Sequence, residues 1–472
     1  MLKKNFQPYA FLFYLACLLL IGLVVRDIDG QPNILATIQN FMSPPGVIQL
    51  GDPHSFSSGA IDVYQNGWFT PDKQWLINLW PPGFMLLEAA ILKLFGLDAP
   101  FIAILIALCA LLGAGMLVLM RKYLLEFVAP ALATFLPLLP FCFPVTRLFL
   151  LQPIGIVLGE CFSIIFFITA VLLALLGFRE RSYRKAIAAG LMLALSAYFR
   201  SQFEILVMFL TLGAIPVLLW CLIGPLLRRT SQTGMARPQA RLVVWIILST
   251  LITAHLLMFP WRLRNLNNPY NQRLNWVSTE TITYSNAGLT DEELFKVKAG
   301  WIVEGGGNLA CNLEASYCGK GDKTLYYKAF FKHIKEWYIR KFALLDKYWF
   351  ASIYNFTAPV HPSSWGDNVA NLLLLLCVLL TWPFLWIARR HSESVLHLWI
   401  CGSFYSCLFA VFTFVQFEVR YFYLIKIFSM FSTIMLGCLA FHARKLKLGQ
   451  HKRSESLASL KSDHAGVPTP GV

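Results

Sequence analysis

The stretch WPPGFMLLEAAILKLFG, residues 80–96, decides how the rest of the chain is arranged. It is apolar, yet it carries Glu88 and Lys93 and falls short of the about 20 residues that a transmembrane helix needs. Pro81 and Pro82 suit the first turn of a helix. If this segment crossed a bilayer, every later loop would change sides. The distribution of charge along the chain tests whether it lies on the membrane surface instead.

The composition is that of a membrane protein. Of the 472 residues, 57% are hydrophobic and 14% are charged, with a mean hydropathy of +0.59. Soluble domains carry about 25% charged residues, so soluble, disordered, collagen-like and disulfide-scaffold proteins are excluded. The net charge of +15 fits cytoplasmic loops rich in Lys and Arg. Since no nucleic-acid-binding motif accompanies it, nucleic acid is not an expected partner.

Ten other stretches are predicted to cross the membrane, because each is a long, mainly apolar run. The third could extend to Leu151. They are Tyr9–Val25, Pro100–Met120, Phe127–Phe143, Glu160–Phe178, Ala186–Phe199, Ile205–Leu227, Leu242–Pro260, Val369–Ala388, Val395–Phe417 and Tyr421–Phe441.

With residues 80–96 on the surface, every short basic cluster falls on one side of the membrane. These clusters include Lys3-Lys4, Arg121-Lys122, Arg228-Arg229 and Arg389-Arg390. Because cytoplasmic loops collect such residues, both ends of the chain are predicted to be cytoplasmic. The predicted fold class is an all-α polytopic membrane protein with about ten transmembrane helices. Juxtamembrane helices lie in a first outer loop, and a second outer loop is larger.

The chain divides at the boundaries of these loops. Residues 1–260 form an N-terminal transmembrane module that contains the first outer loop, 26–99. Residues 261–368 form the large periplasmic loop, and 369–441 form the C-terminal transmembrane helices. Residues 442–472 form a cytoplasmic tail, whose Ser/Lys-rich composition predicts disorder.

Acidic residues and arginines recur where the predicted helices reach the outer side. Ionisable groups at membrane edges indicate function by default, although each alone could be an ordinary interfacial charge. Acids together with arginines suit a site that combines a general base with phosphate binding. The set comprises Asp27, Asp29, Asp52, Asp62, Glu160, Arg200, Arg262, Arg264, Glu418 and Arg420.

Two cysteines stand apart from the apolar runs. Cys311 and Cys318 lie in a polar stretch of the second outer loop. In an oxidising compartment a disulfide between them is favoured over a zinc site.

Four stretches of the chain form recognisable motifs. They are Gly51-Asp52 with Gly67-Trp68-Phe69, Trp80-Pro81-Pro82-Gly83-Phe84, Pro260-Trp261-Arg262-Leu263-Arg264-Asn265, and Glu418-Val419-Arg420-Tyr421. Through these motifs the chain resembles the polyprenyl-phosphate-dependent membrane glycosyltransferases of the GT-C class, in particular the protein O-mannosyltransferases and the aminoarabinose transferases of lipid A. The likeness covers most of the chain to about residue 440, and the third stretch is its most specific part.

The resemblance implies a GT-C-like fold and an inverting displacement on the periplasmic side of a bacterial inner membrane. An acceptor hydroxyl would attack the sugar of a polyprenyl-phosphate donor, and the lipid phosphate would leave. Asp52 matches the acid of the first loop and is the expected base. Glu160 matches a second acid, which would hold the acceptor or a metal. Asp27 and Asp29 remain the alternative pair for the base.

The resemblance also implies which residues bind the substrates. Arg200, Arg264 and Arg420 are the candidates for the leaving phosphate, although Arg200 could instead pair with Glu204. Trp80 stands where relatives often have Lys or His. An arginine would then take over the phosphate contact, or Trp80 would stack on a sugar, or the activity is altered. The predicted substrate-binding set is Arg200, Trp80, Trp261, Arg262, Arg264, Asn265, Arg420 and Tyr421.

The expected partners are a polyprenyl-phosphate-linked sugar, a lipid, glycan or protein acceptor, and membrane lipids. No cofactor is firmly indicated, and a divalent metal (Mg or Mn) stays open because two carboxylates are too few to assert a site. A transporter or flippase of lipid-linked glycans, a polymerase or ligase of such glycans, and a non-catalytic structural homologue are the alternatives. Transporters place ionisable residues near the bilayer midplane, whereas here they gather at one side.

Overall fold

The computed structural model describes residues 7–24, 51–151, 159–227, 237–266, 309–310, 313–317, 323–352, 362–389, 391–414 and 419–464. Within these ranges the regular structure is helical. The first helices are α1 (Gln7–Val24), α2 (Gly51–Asn66), α3 (Gln74–Leu79), α4 (Gly83–Phe95), α5 (Phe101–Leu124), α6 (Pro130–Phe135) and α7 (Pro144–Leu151). We call residues 51–95, which contain α2, α3 and α4, the first lobe. The remaining helices are α8 (Glu160–Arg179), α9 (Tyr183–Phe199), α10 (Ser201–Leu227), α11 (Arg237–Asn265), α12 (Lys323–Lys332), α13 (Ile334–Trp349), α14 (Trp365–Ala388), α15 (Ser394–Phe414) and α16 (Val419–His464). Short 3₁₀ turns cover Pro71–Lys73, Leu136–Cys142 and Ala315–Tyr317.

The predicted fold class is confirmed. Among the residues that the structure describes, seven helices are long and apolar enough to cross a membrane: α5, α8, α10, α11, α14, α15 and α16. The stretch from α6 to α7, bent by 86°, would be an eighth span. The predicted count of about ten is therefore approximate, with α1 and α9 as its shorter members.

Helix α9 has 17 residues, but it runs back along the whole of α8. A tight turn joins the end of α8 to the start of α9, and Arg200, just after α9, lies 2.7 Å from Glu160 at the start of α8. Small residues let α9 approach its other neighbour, since a Cβ on Gly190 would lie 2.4 Å from the Thr250 carbonyl oxygen of α11. Helix α9 therefore connects the same two faces as α8.

The third predicted span is broken rather than straight. The break falls between Cys142 and Pro144, where proline cannot donate a backbone hydrogen bond. Arg147 Nη1 donates to the carbonyl oxygens of Phe141 (3.1 Å) and Cys142 (2.7 Å). The arginine thus satisfies backbone acceptors that the break exposes within an apolar stretch.

Helix α4, which contains most of the deciding stretch, begins and ends on one face of the bundle. Its first residue, Gly83, packs against the carbonyl of Tyr198 at the end of α9, beside the Glu160 end of α8. Helix α5 packs along α8, and their last turns meet where Lys122 Nζ lies 2.7 Å from Glu180. Both therefore start at the face where α4 starts. At 13 residues α4 is about 20 Å long, shorter than the hydrocarbon core.

These contacts define two faces. The Asp52 face carries the first lobe and the start of α8, and the Lys122 face carries the ends of α5 and α8. Helix α4 thus begins and ends at the Asp52 face, as expected for a segment that does not cross the bundle; its position on the membrane surface stays a prediction.

The acid of α4 is not a surface charge. Glu88 is fully buried, and neither carboxyl oxygen has a hydrogen-bond partner among the described residues. Burial raises the pKa of Glu88 well above its usual range. The sequence suggested a charged amphipathic helix, whereas the structure buries this position against the bundle.

The position of α4 gives a topology prediction. Epitope tags inserted after Gly67 or after Asp98 in the full chain should both be reached by antibody from the same side of the membrane. A tag after Lys122 should be reached only from the opposite, cytoplasmic side. Protection of the Gly67 and Asp98 tags from opposite sides would mean that α4 crosses the bilayer.

At the Lys122 face the half-buried Arg179 joins the N-terminal helices to the C-terminal ones. Arg179 Nε donates to Glu393 (2.8 Å) and Nη1 donates to the carbonyl of Tyr123 (2.8 Å). The guanidinium lies 3.9 Å from the Tyr123 ring centroid and 4.0 Å from that of Phe127. His397 Nε2 lies 2.8 Å from the Tyr123 hydroxyl, so three helices share the cluster.

We expect Arg179→Ala to lower the thermal stability of the purified protein markedly. The side chain of Glu393 is 1% exposed, and removing one partner of a buried ion pair costs about 3–5 kcal/mol. Lys122→Ala is the matched control, because its pair with Glu180 is 36% exposed on both sides. Equal melting temperatures for the two variants would contradict this account of the cluster.

The C-terminal helix is longer than predicted. Helix α16 continues to His464, through residues for which the sequence analysis predicts disorder. The segment from His442 to His464 holds no proline and is rich in Lys, Leu, Ala and Ser. Several of these residues favour helix, which is the physical reason for the difference.

Candidate functional site

Asp52 lies in the first turn of α2, where a carboxylate interacts favourably with the helix dipole. Its Oδ2 atom lies 3.4 Å from both Nη1 and Nη2 of Arg420. The Asp52 side chain is 34% exposed. One side of this carboxylate is thus held by an arginine, and the other can be reached from the Asp52 face.

Glu160 begins α8, directly after a glycine that the geometry requires. Gly159 has a φ of +72°, and a Cβ there would lie 2.8 Å from the ring of Phe84. This glycine therefore permits both the turn and the close approach of α4. The Glu160 side chain is only 1% exposed, and Oε1 lies 2.7 Å from Arg200 Nη2 and 3.6 Å from Arg420 Nε.

Two acids and two arginines thus form one continuous group, which we call the charge chain: Asp52, Arg420, Glu160 and Arg200. Arg420 touches both acids, and Arg200 touches the buried one. Both arginines are almost fully buried, with side chains 7% and 9% exposed. Because buried charges need partners, each arginine stabilises Glu160 and Glu160 stabilises each arginine.

The charge chain brings together residues that are distant in sequence. Asp52 comes from α2, Glu160 from α8, Arg200 from the link between α9 and α10, and Arg420 from the start of α16. The open end is Asp52. A ligand at the Asp52 face would therefore meet a carboxylate first, with guanidinium groups directly behind it.

The Pro-Trp-x-x-Arg-Asn stretch at the end of α11 does not join the charge chain. Arg262 Nε lies 2.5 Å from Glu204, and Nη1 lies 2.6 Å from His255 Nδ1. His255 Nε2 lies 2.8 Å from the Thr211 hydroxyl. Because arginine can only donate, Nδ1 of His255 accepts and the ring donates through Nε2 to Thr211. This ladder ties α11 to α10.

Arg264 fastens the first lobe to the membrane helices. Its Nη1 donates to the carbonyl of Ile77 (3.1 Å) and to Asn265 Oδ1 (2.7 Å). Its Nη2 donates to Asn78 Oδ1 (2.7 Å) and Gln74 Oε1 (3.3 Å). The guanidinium therefore holds α3 in place.

The aromatic members of the predicted set lie around these groups. Trp261 is buried, and its ring packs edge-on against Tyr198. Trp80 is half-buried and packs edge-on against Phe56 at a centroid distance of 5.2 Å. The Tyr421 ring lies 5.7 Å from the Arg420 guanidinium.

An apolar cavity of about 520 Å³ lies beside the charge chain, between α13, α14, α15 and α16. Tyr421 lines it, so the cavity reaches the residue next to Arg420. Most of its other lining side chains are apolar, and Asp346 is the acidic one. Its walls include Phe342, Trp349, Phe350, Phe412 and Phe422.

Helices α12 and α13, which we call the second lobe, are bonded to the end of α15. Trp337 Nε1 donates to the carbonyl of Thr413 (2.9 Å), and the Tyr326 hydroxyl donates to that of Phe414 (2.9 Å). The last carbonyls of a helix need such partners from elsewhere. Helices α12 and α13 thus hold the outer end of α15.

Several predicted site residues lie outside the described ranges: Asp27, Asp29, Glu418, Cys311 and Cys318. The alternative base pair and the proposed disulfide therefore stay predictions. Among the described residues, no group of three or more His, Cys, Asp or Glu side chains could hold a metal. The divalent metal suggested by the sequence therefore stays a prediction.

Sequence reasoning missed three parts of this region. It did not anticipate that Arg264 holds α3, that Trp75 contacts Trp80, or that an apolar cavity lies beside Tyr421. A signal existed for the cavity, since α13 interleaves aromatic and basic residues. No local signal marked the long-range partners of Arg264.

Known proteins resemble this one in fold and not in sequence. No family model matches the sequence, and no curated protein matches it. The oligosaccharyltransferase of Archaeoglobus fulgidus in the apo form aligns with 97% of this chain, at a TM-score of 0.50 and 12% identity, over 52% of its own length. The archaeal oligosaccharyltransferase AglB from Archaeoglobus fulgidus, in complex with an inhibitory peptide and a dolichol-phosphate, aligns with 99% of this chain. That second match has a TM-score of 0.49 and 12% identity, over 53% of its own length.

The chain therefore spans about half the length of these structures. At such low identity the likeness concerns the fold, which is GT-C-like.

Proposed function

We propose that this protein is a membrane glycosyltransferase that moves a sugar from a polyprenyl-phosphate donor to an acceptor hydroxyl at the Asp52 face. The observation that carries the proposal is the charge chain with an apolar cavity beside it. The charge chain supplies a solvent-accessible carboxylate and arginines at one end of the helix bundle, and the cavity reaches Tyr421 next to Arg420. An amphiphilic donor has both parts, a phosphate and an apolar tail. The GT-C-like fold supports the same class of activity.

In the proposed reaction Asp52 is the general base. The acceptor hydroxyl donates its proton to the Asp52 carboxylate while its oxygen attacks the anomeric carbon of the sugar. The bond between that carbon and the phosphate oxygen breaks, and its electron pair stays on the phosphate. A single displacement inverts the configuration at the anomeric carbon. The 34% exposure of Asp52 gives the acceptor access to this carboxylate.

The arginines of the charge chain bind the phosphate as charge develops on it. Arg420 is best placed, because it touches the base and lies next to the cavity-lining Tyr421. A guanidinium matches phosphate oxygens with two parallel donors. Glu160 holds Arg200 and Arg420 in position and balances their charge before the donor binds. Arg262 and Arg264 support the site by fixing α11 and α3.

The sugar, the acceptor and the side of the membrane that we propose are those implied by the resemblance to GT-C glycosyltransferases. The donor carries a hexose or a pentose, and the acceptor is a lipid, a glycan or a protein. The Asp52 face is the periplasmic face of a bacterial inner membrane. The acceptor class sets the product, so mass spectrometry of cell-envelope glycans and lipids, with and without the protein, identifies it.

A reconstituted system tests the activity directly. Purified protein in liposomes should transfer radiolabelled sugar from polyprenyl-phosphate donors to an acceptor extract, leaving polyprenyl phosphate behind. A transporter or flippase would instead move the intact lipid-linked sugar between leaflets without breaking the glycosidic bond. Movement of intact donor with no release of polyprenyl phosphate would reject the glycosyltransferase.

A further inference from the structure

We infer that Trp75 and Trp80 form an aromatic subsite that stacks on the sugar ring of the donor. This inference rests on the proposed function, because it places a sugar beside the charge chain.

Trp80 lies close to the open end of the charge chain. Phe56 follows Asp52 by one helical turn, so both side chains lie on the same face of α2. The Trp80 ring packs edge-on against Phe56, with centroids 5.2 Å apart and planes at 71°. The indole is therefore about one helical turn and one ring contact away from the proposed base.

Trp80 also lies near Arg200, at the buried end of the charge chain. Three residues after it, Gly83 packs so tightly on the Tyr198 carbonyl that a Cβ would lie 2.6 Å away. Tyr198 precedes Arg200 by two residues. The segment that carries Trp80 is thus fixed between Asp52 and Arg200, where the sugar of a donor bound to the arginines would lie.

Trp75 extends this surface toward solvent. Its ring centroid lies 6.0 Å from that of Trp80, with planes at 58°, and the residue is 38% exposed. Trp80 is half-buried. Two adjacent indoles with accessible area provide a rigid apolar surface, and aromatic walls with a few fixed polar groups are typical of small-ligand sites.

The polar groups beside the indoles are also fixed. Gln74 and Asn78, which flank Trp75 on α3, each accept a hydrogen bond from Arg264 Nη2. Gln74 Nε2 also donates to the carbonyl of Phe69 (3.1 Å), so α3 is held from both sides. Arg264 thereby acts as a positioning residue for α3.

The test compares lipids that differ only in the sugar. Binding of undecaprenyl phosphate, and of undecaprenyl phosphate linked to mannose, glucose or arabinose, is measured to the full-length protein in nanodiscs. For the sugar-bearing lipid that the wild type binds best, Trp75→Ala should weaken binding about tenfold. Binding of bare undecaprenyl phosphate should be unchanged. Trp75→Phe, which keeps an aromatic ring, should recover most of the loss.

Trp68→Ala is the matched control, because Trp68 is a 50% exposed tryptophan of the same lobe that packs against Phe69. It should bind both kinds of lipid as the wild type does. An equal change for sugar-bearing and bare lipid in Trp75→Ala, or no change for either, overturns the aromatic subsite. If the wild type binds none of these lipids, the proposed function itself fails, and the two failures are thereby distinguished.

Discussion

Asp52→Asn is expected to slow sugar transfer about 10²–10⁴-fold, the range that a general base contributes. Asparagine keeps the shape of the side chain and can still accept a hydrogen bond from Arg420, which lies 3.4 Å away. It cannot take up the acceptor proton. The loss should therefore appear in kcat, while binding of the donor lipid changes little.

The measurement is transfer of radiolabelled sugar by purified protein in liposomes, with thermal stability recorded for each variant. Asp72→Asn is the matched control, since Asp72 is an exposed acid of the same lobe and lies in the first turn of the 3₁₀ segment Pro71–Lys73. It should retain full activity. Full activity in a folded Asp52→Asn variant would instead move the role of base to Asp27 or Asp29.

The chemistry of Asp52 depends on a topology that the sequence could predict. Residues 80–96 are short for a span and carry Glu88 and Lys93, and placing them on the surface puts Asp52 and Glu160 on one side. Both arguments use only local length and charge. The structure agrees, since Asp52 and Glu160 both contact Arg420.

The pairing of the arginines was less predictable. Arg200 and Glu204 are one helical turn apart in sequence, which suggests a local pair. Arg200 instead has φ −150° and ψ 125°, an extended conformation between α9 and α10, so it does not lie on the helix that carries Glu204. It pairs with Glu160, and Glu204 pairs with Arg262. The break between α9 and α10 therefore determines the partners in both of these ion pairs.

Arg264 shows a second limit of sequence reasoning. Its motif suggested phosphate binding, but the structure shows its guanidinium bonded to Ile77, Gln74 and Asn78 of α3. These partners lie almost two hundred positions earlier in the chain. Only the packing of α11 against the first lobe brings them together. The phosphate role of Arg264 stays a prediction, and the charge chain favours Arg420.

Arg420→Ala is expected to lower kcat/KM for the donor about 10²–10³-fold, the loss typical of removing one preorganised donor to developing charge. Arg420 is the one residue of the charge chain that touches both carboxylates, at 3.4 Å and 3.6 Å. Its removal takes away hydrogen-bond donors to the leaving phosphate and also leaves Asp52 less firmly oriented. The KM for the donor should rise, while the KM for the acceptor stays close to that of the wild type.

Two further variants separate charge from geometry. Arg420→Lys keeps the charge but replaces the planar fork by a single ammonium, so it should recover only part of the activity. Arg389→Ala is the matched control, because Arg389 is an exposed arginine near the Lys122 face that stacks on Trp386. It should leave kinetics unchanged. If Arg420 binds the leaving phosphate, the loss must appear in KM and kcat/KM for the donor. A rise in KM for the acceptor alone would assign this arginine to the acceptor.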